Sequence, residues 1–155
     1  KSRQSWRFSA TCIDRTGLYK VERETTYYIF DLINYPGYLK PGITFEIEDR
    51  SSKRWYKESQ MEQIFPNRQS AYFIEQAVLH ATNMYWDCPD EIQRDYKWGG
   101  RDEVRLMDLE ELINIFDFYY KEYENQDEWS FAAYYLSDDV ITHDQRKQCL
   151  GRSEI

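Results

Sequence analysis

Apolar side chains recur at every second position early in the chain and at intervals of three and four later on. In WRFSATCI, Trp6, Phe8, Ala10 and Cys12 alternate with Arg7, Ser9 and Thr11, the period of a strand with one buried face. DRTG then supplies a turn, and further strands are expected through LYKVE and TTYYIFDLI. In the last of these, Tyr27 and Ile29 share one face while Tyr28, Phe30 and Leu32 share the other. Apolar residues on both faces place this strand at the centre of a sheet, covered on two sides. The two Pro-Gly pairs of NYPGYLKPG carry type II turn chemistry, Pro presetting φ and Gly accepting the positive φ that follows. ITFEIED after them points Ile43, Phe45 and Ile47 inward and Thr44, Glu46 and Glu48 outward. A strand reached through such a turn suits a curved sheet or a small barrel, an analogy at the level of fold only. RSSKRWYKES follows as a basic, polar loop.

The period then becomes helical. Asn67 is placed to cap a helix with the stripe Ile74, Ala77, Val78, Ala81 and Tyr85, and Pro89 stops it from running on. PDEIQRDYKWGGRDEVRL is a connection turning at Gly99 and Gly100, with room for a short strand in EVRL. A second helix starts at Asp108, where Glu111 three residues on makes a capping-box pattern. Its stripe is Leu109, Leu112, Ile113, Phe116, Tyr120 and Tyr123. A third starts at Asp127, with Trp129, Ala132, Ala133 and Leu136 on one side. Strands first and helices second define an α+β domain over residues 1–155. The expectation is an antiparallel sheet of four or five strands, with a curved or barrel-like form left open, and about three helices packed on one face.

Two residues of the second helix leave this pattern. Ile115 and Phe118 lie roughly 120° and 180° from the centre of the main stripe, among Glu111, Asn114, Lys121 and Glu122. Either the third helix folds back and covers them with Phe131, Tyr134 and Tyr135, or they form an exposed apolar strip rimmed by acids, which marks a binding surface.

Charge strengthens the second alternative. The chain carries 28 acids against 20 bases, a net charge of −8. Residues 1–75 hold twelve bases and ten acids, whereas residues 76–155 hold eight bases and eighteen acids. From Asp108 to Asp139 there are ten acids and one base, Lys121. Carboxylates interleaved with rings resemble hot-spot anchors inside a charged rim. Such a surface attracts a partner with a basic face and disfavours direct contact with nucleic acid. Carboxylates can also imitate phosphate spacing, so inhibition of a nucleic-acid-binding protein is a special case of the same reading.

The remaining composition sets limits. With 41% apolar and 17% aromatic residues, the chain can build one packed core and is not disordered as a whole. No apolar run approaches the roughly 18 residues that span a bilayer. Cys12, Cys88 and Cys149 are odd in number and scattered, so they form no disulfide framework and point to a reducing, cytoplasmic setting. The opening residue is Lys1, which leaves a removed leader open.

No motif names a reaction. A nucleophilic cysteine needs an imidazole beside it, and nothing in the spacing pairs the cysteines with His80 or His143; buried structural thiols are the plainer reading. DDVITHD gathers Asp138, Asp139, His143 and Asp144, a hard-oxygen set with one imidazole that could serve a small metal-dependent hydrolase, although it matches no established ligand spacing. Lys53, Arg54, Trp55, Tyr56 and Lys57 combine charge with stacking rings, as single-strand nucleic-acid binders do. The leading expectation is non-catalytic binding of a basic protein partner through Glu111, Ile115, Phe118, Tyr119 and Glu122. It involves no cofactor, no metal, no catalytic residue and no membrane.

Overall fold

The computed structural model describes residues 23–47, 56–96 and 100–141, with backbone alone at 56–58 and 96. The strands expected at WRFSATCI and LYKVE lie outside the described residues, as do Lys53, Arg54, Trp55, His143 and Asp144. Within them, β1 (Thr25–Leu32), β2 (Tyr38–Thr44), β3 (Tyr56–Phe65) and β4 (Arg105–Leu106) form one antiparallel sheet in the order β3-β1-β2-β4. Among the described residues the sheet is open, not closed into a barrel. β1 is central, as its two apolar faces require. Tyr27 and Ile29 enter one core with Leu39, Ile43 and Phe65, while Tyr28, Phe30 and Leu32 enter a second with Cys88, Ile92 and Val104.

The two Pro-Gly pairs diverge. Tyr35 to Tyr38 is the expected turn: Gly37 takes φ +87° and the Tyr38 amide donates to the Tyr35 carbonyl at 3.2 Å. The second pair does not turn. Pro41 and Gly42 lie within β2 opposite Ile29 and Tyr28. Gly42 is needed there for space, because a Cβ would collide with the Tyr28 hydroxyl. β2 therefore starts five residues before Ile43 and ends at Thr44, which corrects the strand expected over ITFEIED. Phe45 does not point into a core; the guanidinium groups of Arg23 and Arg68 stand over its ring at 4.7 and 5.3 Å.

β3 corrects the expected basic loop, since Tyr56 and Lys57 already belong to a ten-residue strand. Met61 and Gln63 lie opposite Ile29 and Tyr27 on the face of the first core, with Phe65 buried there too, while Ile64, opposite Thr26 on the other face, is exposed. β3 lies at the edge of the sheet among the described residues, where a strand tolerates this mixture, and the mixture erases the hydropathy alternation that would reveal it.

Helices cover both faces of the sheet. On the first face lie α1 (Arg68–Ala81), α3 (Leu109–Glu124) and α4 (Glu128–Tyr135); on the second lies the short α2 (Asp90–Tyr96), through Ile92. The expectation of helices on one face thus holds for the three long-range stripes and fails for α2. Asn67 caps α1 as read, its Oδ1 accepting from the Ser70 amide at 2.9 Å. Replacing Asn67 by Ala should cost about 1 kcal/mol in a urea titration. Asp127 caps α4 in the same manner at 3.1 Å. Asp108 stands at the head of α3 but its side chain makes no cap; Glu111 instead accepts from the Tyr85 hydroxyl at 2.8 Å. The capping box is therefore not formed. Along α3, Leu112 and Phe116 are buried, Phe116 stacking on Tyr27 with centroids 4.5 Å apart.

The interior also holds charge. Lys40 on β2 pairs with Glu103 at 2.5 Å, both nearly solvent-free. Glu75 on α1 is 2% exposed. Burial, reinforced by the Glu103 carboxylate, pushes its carboxyl up to about 8, against the pull of Lys40 and Arg68. Nearby, the Tyr27 hydroxyl is fully buried without a hydrogen-bond partner.

Candidate functional site

Residues spaced four, seven, eight and eleven along a helix share one side, so Glu111, Ile115, Phe118, Tyr119 and Glu122 form a second stripe on α3. Three residues after its last turn α4 begins, and the short link returns α4 beside this stripe. The outcome at the two off-pattern residues is split. Ile115 is partly buried and packs on the main core. Phe118 stays 53% exposed, and Tyr134 on α4 is 75% exposed. Phe131, one of the three residues expected to cover the stripe, is itself fully buried in the core.

The rings between these elements meet edge to face. Phe118 stands 5.0 Å from Tyr119 and 6.2 Å from Tyr135; Tyr135 stands 5.3 Å from Tyr119 and 4.7 Å from Tyr134. Such contacts favour one arrangement beyond simple area burial. The Tyr135 hydroxyl donates to Glu122 at 2.8 Å. Burial and then this carboxylate push the Tyr135 phenol up to about 12, so it remains a donor at physiological pH. Tyr135→Phe should cost about 1 kcal/mol of stability, read by urea denaturation. It should also remove the phenol that ionises near pH 12 from a spectrophotometric titration.

The site residues thus fall into two kinds. Glu111 and Glu122, at the two ends of the stripe, accept hydrogen bonds from Tyr85 and Tyr135. Between them Phe118 is open, with Ile115 and Tyr119 half-buried beside it. Beside them on α3 Glu110 and Asp117 are exposed, as are Asp108 at its head and Asp138 and Asp139 after α4. Other acids of the run serve the fold: Glu128 accepts from Gln69 Nε2 at 2.5 Å and Ser70 Oγ at 2.8 Å.

Sequence reasoning missed a cleft of about 390 Å³ between the C-terminal end of α1 and the turn after α4, lined by Leu79, His80, Trp86, Arg105, Tyr135 and Asp139 among others. Its walls come from three separated segments, residues 76–86, 102–105 and 135–140, so no local pattern announces it. Arg105 forms part of the floor. Its guanidinium donates to Thr82 Oγ1 at 2.9 Å and to the carbonyls of Leu79, Asp102 and Val104 at 3.1, 2.9 and 3.2 Å.

Comparison with known proteins returns no matching family model, no similar curated protein and no similar solved structure. The chain's own geometry carries the functional reading.

The other chemistries gain little from it. Cys88 is buried in the second core; burial raises its thiol, Arg101 pulling it down and Asp87, Asp102 and Asp90 raising it further. Among the described residues no three of His, Cys, Asp and Glu are grouped to hold a metal ion; this covers Asp138 and Asp139 but neither His143 nor Asp144. No helix among the described residues is long and apolar enough to cross a membrane.

Proposed function

We propose that the protein is a binding module that grips a basic protein partner through the α3–α4 surface. The observation that carries this reading is the pairing of two large exposed rings, Phe118 and Tyr134, through the edge-to-face cluster of Tyr119 and Tyr135, within a rim of exposed carboxylates. Anchoring rings supply affinity by leaving water, while the rim speeds encounter and rejects acidic competitors. Imitation of a phosphate backbone by these carboxylates, with a nucleic-acid-binding protein as the target, is a special case of this reading that rests on charge alone.

The surface has a dual signature: affinity depends on salt through the rim and on packing through the rings. With a partner purified from the native host, affinity should fall about tenfold between 50 and 500 mM salt and then level off. A complex indifferent to salt would contradict the role of the rim. The two alternatives, a hydrolase at Asp138–Asp144 and a single-strand binder at Lys53–Lys57, each rest in part on residues outside those described and gain no further observation.

A further inference from the structure

The cleft at the end of α1 is continuous with the aromatic surface. Tyr135 lines one of its walls and stands 6.2 Å from Phe118 on the other side. Trp86, 46% exposed, lines another; its indole N–H donates to the Arg101 carbonyl at 2.9 Å, which fixes the ring. Asp102 and Asp139 bring carboxylates to the same space. Among the described residues Asp102 makes one loose ion pair, a 3.9 Å contact with Arg101, and no ion pair engages Asp139.

Arg105 in the floor would suggest an anion, but its hydrogen bonds argue otherwise. They run to Thr82 Oγ1 and three carbonyls, one of them Leu79 in the last turn of α1. Positive charge there offsets the negative end of the helix dipole, and the Glu103 and Asp102 carboxylates in turn balance the guanidinium. An anion entering the cleft would face two carboxylates and a guanidinium already committed to the fold. A cation would face those carboxylates and the rings of Trp86 and Tyr135, the pair of elements that recognises ammonium and guanidinium groups. The volume of about 390 Å³ lies at the small end of ligand pockets, about 300–1,000 Å³.

We infer that this cleft receives a lysine or arginine side chain of the partner that docks on the α3–α4 surface. The inference rests on the protein-binding reading of that surface and names the chemistry that its rim would select.

Agmatine, a guanidinium without a carboxylate, tests it directly on the full chain. Nuclear magnetic resonance would follow the Trp86 indole N–H, assigned with Trp86→Phe, and the amides of residues 135–140. Agmatine should shift these signals saturably, and Asp139→Asn should weaken its binding about fivefold or more. Acetate should leave them in place. Movement with acetate and not with agmatine would overturn the inference, as would silence with both. Phe118→Asp should weaken partner binding while agmatine still shifts the Trp86 indole N–H. A cleft that ignores agmatine in a protein that still needs Phe118 for its partner therefore sinks this inference alone.

Discussion

Phe118→Asp should weaken partner binding by roughly 30-fold or more while the domain stays folded. The two halves of this expectation have separate physical sources. Phe118 is half exposed, so its removal takes little apolar area out of the folded state, and the stability cost should be about 1 kcal/mol or less. In a complex the same ring would be dry, and the new carboxylate would sit among Asp117, Glu122 and Tyr119 with no partner of its own, against whatever apolar surface the ring had met. Phe118→Tyr, which keeps the ring, should bind within about threefold of the parent. Circular dichroism and a urea titration verify the fold; titration calorimetry reads the affinity. If the Asp variant unfolds, the ring is part of the core and the binding role is lost.

The second large effect lies inside the domain. Glu75→Gln should stabilise the protein above pH 8 by roughly 3 kcal/mol. In the folded state the Glu75 carboxyl titrates at about 8 instead of 4.5, first because it is buried and second because Glu103 stands near, with Lys40 and Arg68 opposing. A raised acid holds its proton more tightly when folded than when unfolded. Its contribution to stability is therefore intact below about pH 4.5, declines as pH rises, and is gone above about 8. Gln keeps the size and the amide-like polarity and never ionises. Urea midpoints of the two proteins at pH 5, 7 and 9 should diverge steadily with pH, the variant being the more stable at the top. Parallel pH profiles would show that the carboxyl is not shielded as the structure places it.

Much of the fold was legible because particular residues satisfy one physical demand. Tyr27 to Leu32 is apolar on both faces, which suits only a central strand. Asn67 and Asp127 are short polar residues just before helical stripes, and both make their cap bonds. Where a pattern has two physical solutions, sequence could not choose. Pro36-Gly37 and Pro41-Gly42 look alike, but only the first turns, because Gly42 is there to admit the Tyr28 ring. Asp108 and Glu111 look like a capping box, yet Tyr85, distant in sequence, claims the glutamate. β3 stayed hidden because polar Gln63 lies on the face of the first core while apolar Ile64 is exposed. α2 stayed hidden because seven residues give too few turns for a stripe, so the helix on the second face went unread although the two apolar faces of β1 called for a cover there.

The candidate surface was visible in part. Ile115 and Phe118 broke the stripe of α3, and that break pointed to the right place. Whether each was covered depended on where α4 lands, and the structure divides them, Ile115 against the core and Phe118 open. The employment of Glu111 and Glu122 by tyrosine hydroxyls was not readable, since Tyr85 and Tyr135 belong to other elements. The cleft and the buried Lys40–Glu103 pair depend on contacts between distant segments and leave no periodic trace.

Hydroxyl-radical footprinting of the complex tests the binding surface most directly, because it reads solvent access at individual side chains. Phe118 and Tyr134, the open rings of the free protein, should lose most of their reactivity when the partner binds, while exposed Ile64 on β3 keeps its own. Unchanged labelling of Phe118 and Tyr134 in a fully formed complex, with protection at β3 instead, would contradict the account.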